Sequence, residues 1–186
     1  MAIQQRLYTA DEFWEMAQEF EEGKRFELVQ GLIVEMAPSS PRNSVIAMRI
    51  GRFIGNYVEE HDLGYVMGPD GGYTLSPDNV RIPDISFVSK ARAPTLPERF
   101  IGGPDLAVEV LSPSETSRSV IDKVRLFLSA GTRIVWVIYP DERVVDVYRP
   151  AGEGMHVQEF DAESTLDGGE VLPGFTLPVQ KIFPET

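Results

Sequence analysis

The spacing of apolar positions along this chain changes several times, and each change predicts a new element. Thr9 with Glu12 three residues later makes a capping box, and Phe13, Met16, Ala17 and Phe20 follow at helical spacing, so a helix is expected over about residues 10–21, ended by Gly23. Arg25-Phe26-Glu27-Leu28-Val29 and Leu32-Ile33-Val34-Glu35-Met36 flank Gln30-Gly31 and read as two strands around a tight turn, with Pro38 and Pro41 closing the hairpin. Between about residues 43 and 61, Ile46, Ile50, Phe53, Ile54 and Tyr57 share one face of a second helix. Short β-rich runs follow at Tyr65-Val66-Met67, Gly72-Tyr73-Thr74-Leu75 and Ile85-Ser86-Phe87-Val88, punctuated by glycines, Pro69, Pro77 and Pro83. Residues 89–104 are polar and contain proline, as a surface loop does.

Leu106 to Leu111 is a compact apolar strand, and Ser112-Pro113-Ser114 starts a turn. Thr116 or Ser117 caps a third helix, on which Val120, Val124 and Phe127 mark the buried stripe before Gly131. Ile134-Val135-Trp136-Val137-Ile138 is apolar on both faces, so it is expected inside a sheet covered on both sides. Strand, helix and strand in that order imply a right-handed crossover with the two strands parallel. Asp141-Glu142 then turns the chain into an antiparallel neighbour, Arg143-Val144-Val145-Asp146-Val147-Tyr148, and residues 168–184 read as small strands finishing the sheet. The expected architecture is α/β (α+β): a mixed β-sheet flanked by helices, forming one domain over residues 1–186.

Composition narrows the function classes. The 42% hydrophobic and 25% charged content is that of a globular chain, and the absence of cysteine removes disulfide and thiolate chemistry. No apolar run is long enough to span a bilayer, and the first residues lack the apolar stretch of a secretory signal, so the expectation is a cytoplasmic protein with no membrane partner. The net charge of -12 opposes nucleic-acid binding unless positive charge is gathered locally or supplied by a divalent cation. Arg42, Arg49 and Arg52 form the densest basic cluster and are the sequence's best offer of phosphate contacts, or else a solvated helix face.

Two acids sit where core strands have no structural need of them. Asp84 leads into the run Ile85–Val88, and Glu109 lies inside Leu106–Leu111. Burying a carboxylate costs several kcal/mol unless a cation or hydrogen bonds compensate. Alternation places Asp105, Ala107, Glu109 and Leu111 on one strand face, and Lys123, four residues before Phe127, lies close to the apolar stripe of the next helix, from which its ammonium would reach back to Glu109. Two acids and an ammonium suit a metal-assisted phosphoryl-transfer site. Each has a plainer reading: Asp84 starts a strand, Lys123 belongs to a charged helix edge, and Glu27 is a solvent-facing strand residue. Asp105 is a rival ligand, but roughly 13 Å of strand separates it from Glu109. His61 and His156 have no ligand spacing, and Trp14 and Trp136 suit core packing.

The order Phe26-Glu27-Leu28, Arg81-Ile82-Pro83-Asp84, Pro104-Asp105-Leu106-Ala107-Val108-Glu109-Val110-Leu111-Ser112-Pro113-Ser114, Asp122-Lys123 and Gly131-Thr132-Arg133-Ile134-Val135-Trp136 resembles the Uma-two family of the PD-(D/E)XK restriction-endonuclease-like superfamily. The resemblance implies that Asp84 and Glu109 ligate Mg²⁺, with Mn²⁺ as a substitute, and that Glu27 is an accessory acid. The superfamily lysine two residues after the second acid is Leu111 here, and Lys123 would replace it from the helix. Where the family usually carries a histidine and often an Asp-Gly turn, this chain has Arg42-Asn43 and Gln30-Gly31.

The first expectation is therefore a Mg²⁺-dependent endonuclease hydrolysing nucleic-acid phosphodiester bonds, with DNA as the substrate. The alternative is a catalytically inactive nuclease-like fold serving protein binding or self-association. Fold-level analogy adds a homodimer or higher homo-oligomer, with Val171-Leu172-Pro173-Gly174-Phe175 offered as an interface. Alanine at Asp84 or Glu109 is expected to abolish cleavage with the fold intact.

Overall fold

The computed structural model describes residues 6–113 and 115–185. The N-terminal residues 1–5 and Ser114, in the turn expected after Leu106–Leu111, lie outside the described residues.

The chain opens with α1 (Ala10–Met16), whose capping box forms as expected: Thr9 Oγ1 accepts from the Glu12 N–H, and the Glu12 carboxylate accepts from the Thr9 N–H at 2.8 Å. The helix is shorter than its spacing predicts. It tightens into a 3-10 turn over Ala17–Glu19, after which Phe20 is extended and packs its ring on Phe13 and Phe26. Strands β1 (Phe26–Val29) and β2 (Leu32–Glu35) pair in register around Gln30 and Gly31, both at positive φ. That is the backbone a two-residue hairpin demands. Pro41 does not close the hairpin. It is the first residue of α2 (Pro41–Glu60), capped by Ser40, where its missing N–H is harmless.

Next come β3 (Gly64–Met67), β4 (Tyr73–Ser76), β5 (Asn79–Arg81) and β6 (Ile85–Ser89). A two-residue strand, β7 (Phe100–Ile101), interrupts the expected loop. Then β8 (Leu106–Val110), α3 (Ser117–Ser129) and β9 (Ile134–Tyr139) make the crossover, with β8 and β9 parallel. Thr116 is the cap of α3, and Gly131 supplies the positive φ beyond its end. The chain finishes with β10 (Val144–Ala151), β11 (Gly154–Phe160), β12 (Thr165–Asp167) and β13 (Thr176–Pro178).

Among the described residues the expected single sheet is two sheets and a small ribbon. The first runs β2-β1-β5-β4-β7 and the second β11-β10-β9-β8-β6-β3, while β12 and β13 pair only with each other. The second is mixed, as expected, with one parallel pair among antiparallel ones. Its two faces are both covered. Leu106, Val108 and Val110 join Ile46, Ile50 and Ile54 of α2 on one side, and Ala107 joins Val120, Val124 and Phe127 of α3 on the other. Trp136 is fully buried, as its sequence context implied. Val171, Leu172 and Phe175 are buried in the α2-side core. Their apolar surface is spent within the chain, while Pro173 and Gly174 of the same segment stay exposed.

Candidate active site

The tripeptide Ile82-Pro83-Asp84 carries the chain from β5 in the first sheet to β6 in the second. Proline favours extended backbone at its neighbour and cannot donate to a ladder, so it suits a crossing point between sheets. Asp84 thereby stands at the seam, where its Oδ2 accepts the Val110 N–H at 2.7 Å. That bond ties it to the end of β8, next to Glu109.

Glu109 points to the α3 side because it alternates with the inward residues Val108 and Val110. It is 7% exposed. Lys123 reaches it from α3, with Nζ donating to Oε2 at 2.6 Å. The other oxygen, Oε1, is buried without a hydrogen-bond partner. Burial pushes the Glu109 carboxyl up to about 8; the Lys123 charge opposes this, and neighbouring Asp84 and Glu27 add to it. Asp84 is also lifted by burial, against the Val110 N–H and the Lys123 charge. Lys123 is held above its ordinary value, since burial disfavours the ammonium but Glu109 and Glu27 outweigh that cost.

Glu27 is as buried as Glu109, not solvent-facing. From β1 its Oε2 accepts from Arg81 Nη1 at 2.9 Å, and its Oε1 accepts from the Ile82 N–H at 2.9 Å. Both oxygens are engaged, so it clamps β1 to the segment that delivers Asp84. The four residues singled out from the sequence therefore gather at one seam. Arg81 joins them, though it was not singled out as a site residue; its position three residues before Asp84 was the available signal. Asp105 stands apart, accepting from the Ser89 N–H at 2.8 Å with Arg92 nearby. The α2 arginines face the other side of the second sheet. Arg42 bonds Asp141 and the Pro140 carbonyl, Arg49 bonds the Phe183 carbonyl, and Arg52 covers the Phe53 ring.

A divalent cation is compatible with these donors. Among the described residues no three His, Cys, Asp or Glu side chains gather as a metal-binding group, so the protein's share would be a pair of carboxylates. Mg²⁺ is commonly held by one or two carboxylates, keeping waters and substrate oxygens for the rest of its octahedron. The orphaned Glu109 Oε1, with the Glu109 and half-buried Asp84 carboxyls both lifted by desolvation, is what a cation there would relieve.

Comparison with known proteins gives the family and the fold. No curated protein matches the chain. Among solved structures, a "putative nuclease belonging to DUF820" from Anabaena variabilis superposes with a TM-score of 0.81 at 25% identity, covering 94% of this chain and 97% of that one. The profile of the family Uma2, described as "Putative restriction endonuclease", matches residues 10–180. That span takes in Glu27, Asp84, Glu109 and Lys123, and the chain belongs to the Uma2 family of the restriction-endonuclease-like proteins.

Proposed function

We propose that the protein is a divalent-metal-dependent nuclease whose site is Asp84, Glu109 and Lys123, with Mg²⁺ as the metal, Mn²⁺ as its substitute and DNA as the first substrate to test. The observation that carries this reading is the Lys123 ammonium 2.6 Å from a buried Glu109 whose second oxygen has no partner. Such an arrangement is costly to keep for stability alone.

Asp84 and Glu109 would hold the cation, which supplies a bound water of lowered pKa and neutralises charge on the phosphate. Lys123 stays protonated and presents a fixed positive charge beside that phosphate, where charge gathers in the transition state. Val110 aims Asp84 through its N–H. Glu27 acts through Arg81 and Ile82, fixing the approach of β1 and β5 to the seam; it is a positioning residue.

The structure changes which variant tests this best. Glu109→Ala would strand the Lys123 ammonium, so Asp84→Asn, which keeps shape and removes charge, is cleaner. With a labelled oligonucleotide and Mg²⁺ or Mn²⁺, the wild type is expected to cleave and Asp84→Asn to lose at least 100-fold in rate, with unchanged circular dichroism. Cleavage by Asp84→Asn at the wild-type rate would reject the assignment.

The runner-up is a non-catalytic binding module, favoured by one observation: both Glu27 oxygens and one Glu109 oxygen are already occupied. A calorimetric titration separates the two readings, since no uptake of Mg²⁺ or Mn²⁺ at millimolar concentration leaves only the module.

A further inference from the structure

A cleft of about 680 Å³ lies between α3 and the β1–β5 side of the first sheet, and Arg81 and Lys123 line it beside the proposed site. Arg118, Asp122 and Arg125 line its outer reach. These three stand at i, i+4 and i+7 and so share one face of α3. Arg118 Nε bonds Asp122 at 3.0 Å, and Arg125 Nη1 lies 3.7 Å from the same carboxylate. Two guanidiniums share one carboxylate, which leaves a net positive charge on this face of a chain whose total is -12. Their side chains are 80% and 60% exposed, so most of their N–H donors are open to a ligand.

Seven residues of helix place Arg118 and Arg125 about 10 Å apart along the axis. Among the described residues no aromatic ring lines the cleft, where amide and hydroxyl side chains such as Gln30, Asn79 and Ser119 fill the remaining wall. It therefore has no platform on which bases would stack. We infer that this cleft is a track for a phosphodiester backbone, in which Arg118 and Arg125 hold phosphates of the strand whose scissile phosphate meets Lys123, and that its grip is indifferent to base sequence. This rests on the nuclease reading for the scissile phosphate only. It also moves the phosphate contacts from α2, where the densest basic run of the sequence lies, to α3.

The test is fluorescence anisotropy with 20-nucleotide probes of two unrelated sequences, each single-stranded and as a duplex, with divalent ions chelated so that nothing is cut. In the full chain carrying Arg118→Gln and Arg125→Gln together, affinity is expected to fall about 10-fold. The slope of log affinity against log salt should become shallower by about 1.5, two contacts' worth of released counterions. Arg52→Gln, on α2, should leave both unchanged, and exchanging the probe sequence should shift affinity less than about 3-fold. Loss on single strands only, or on duplex only, says which form of the backbone enters and supports the track either way. Unchanged affinity and slope in the double variant, or no binding by the wild type, overturns it. Cleavage run in parallel separates the two ideas. If the arginine variant cuts and binds as wild type does, the track falls and the nuclease stands; if nothing is cut but binding is lost in the variant, the reverse holds.

Discussion

At the scale of single residues, the proposed chemistry rests on the Lys123–Glu109 pair. The two side chains are 17% and 9% exposed, too buried for water to make the pair neutral in cost. Removing one member of a buried pair leaves an uncompensated charge, while replacing both with apolar groups is often neutral or stabilising. Lys123→Met alone is therefore expected to lose about 3 kcal/mol in urea unfolding at pH 9, and less at pH 6, where the Glu109 carboxyl, lifted to about 8, is neutral. Lys123→Met with Glu109→Leu should recover most of that loss or exceed wild type, yet remain inactive. Additive losses would instead mean that the two side chains contribute independently. Their contact was legible from the strand alternation around Glu109 and the stripe of Val120, Val124 and Phe127, because both are local periodicities. The bond between Asp84 and the Val110 N–H was not legible, since nothing in sequence links a residue at a sheet crossing to one 26 positions on.

At the scale of elements, a reciprocal cap stabilises the start of α3, while packing of its buried stripe holds Lys123. Thr116 Oγ1 accepts the Ser119 N–H at 3.1 Å, and Ser119 Oγ accepts the Thr116 N–H at 3.1 Å. Thr116→Ala is expected to cost about 1 kcal/mol, a fall of about 2–4 °C in melting temperature read by calorimetry. Cleavage at 25 °C should stay within about twofold, because packing of the buried stripe keeps Lys123 in place. Most elements were legible for a matching reason: caps, turns and periodicity act within a few residues. The expected elements give way at particular residues. Phe20 leaves the helical path to join Phe13 and Phe26, and Pro41 starts a helix where a turn was expected.

For the whole molecule, the seam between two sheets brings acids from β1, β8 and the β5–β6 link under one helix. A cation bound there would favour only the folded chain, since the carboxylates converge only on folding. At ten times its dissociation constant, Mg²⁺ should stabilise by about 1.4 kcal/mol, raising the melting temperature by about 3–6 °C. Asp84→Asn should abolish the shift; an equal shift in that variant would place the ion elsewhere. The net charge of -12 read from composition had suggested a poor partner for nucleic acid. A total says nothing of placement, and the cations of α3 line one cleft while many acids lie elsewhere.

The sequence by itself determined the helices, the parallel crossover, the buried strand acid and the ammonium facing it, because these follow from periods of 2 and 3.6 residues and from capping chemistry. Only the tertiary structure decided that the strands divide between two sheets, that Glu27 is clamped by Arg81, that the α2 arginines are spent on other partners, and that the last apolar run feeds the core. Each of these depends on which distant segments meet, and that is set by the joint burial of all the apolar faces and not by any one stretch of chain.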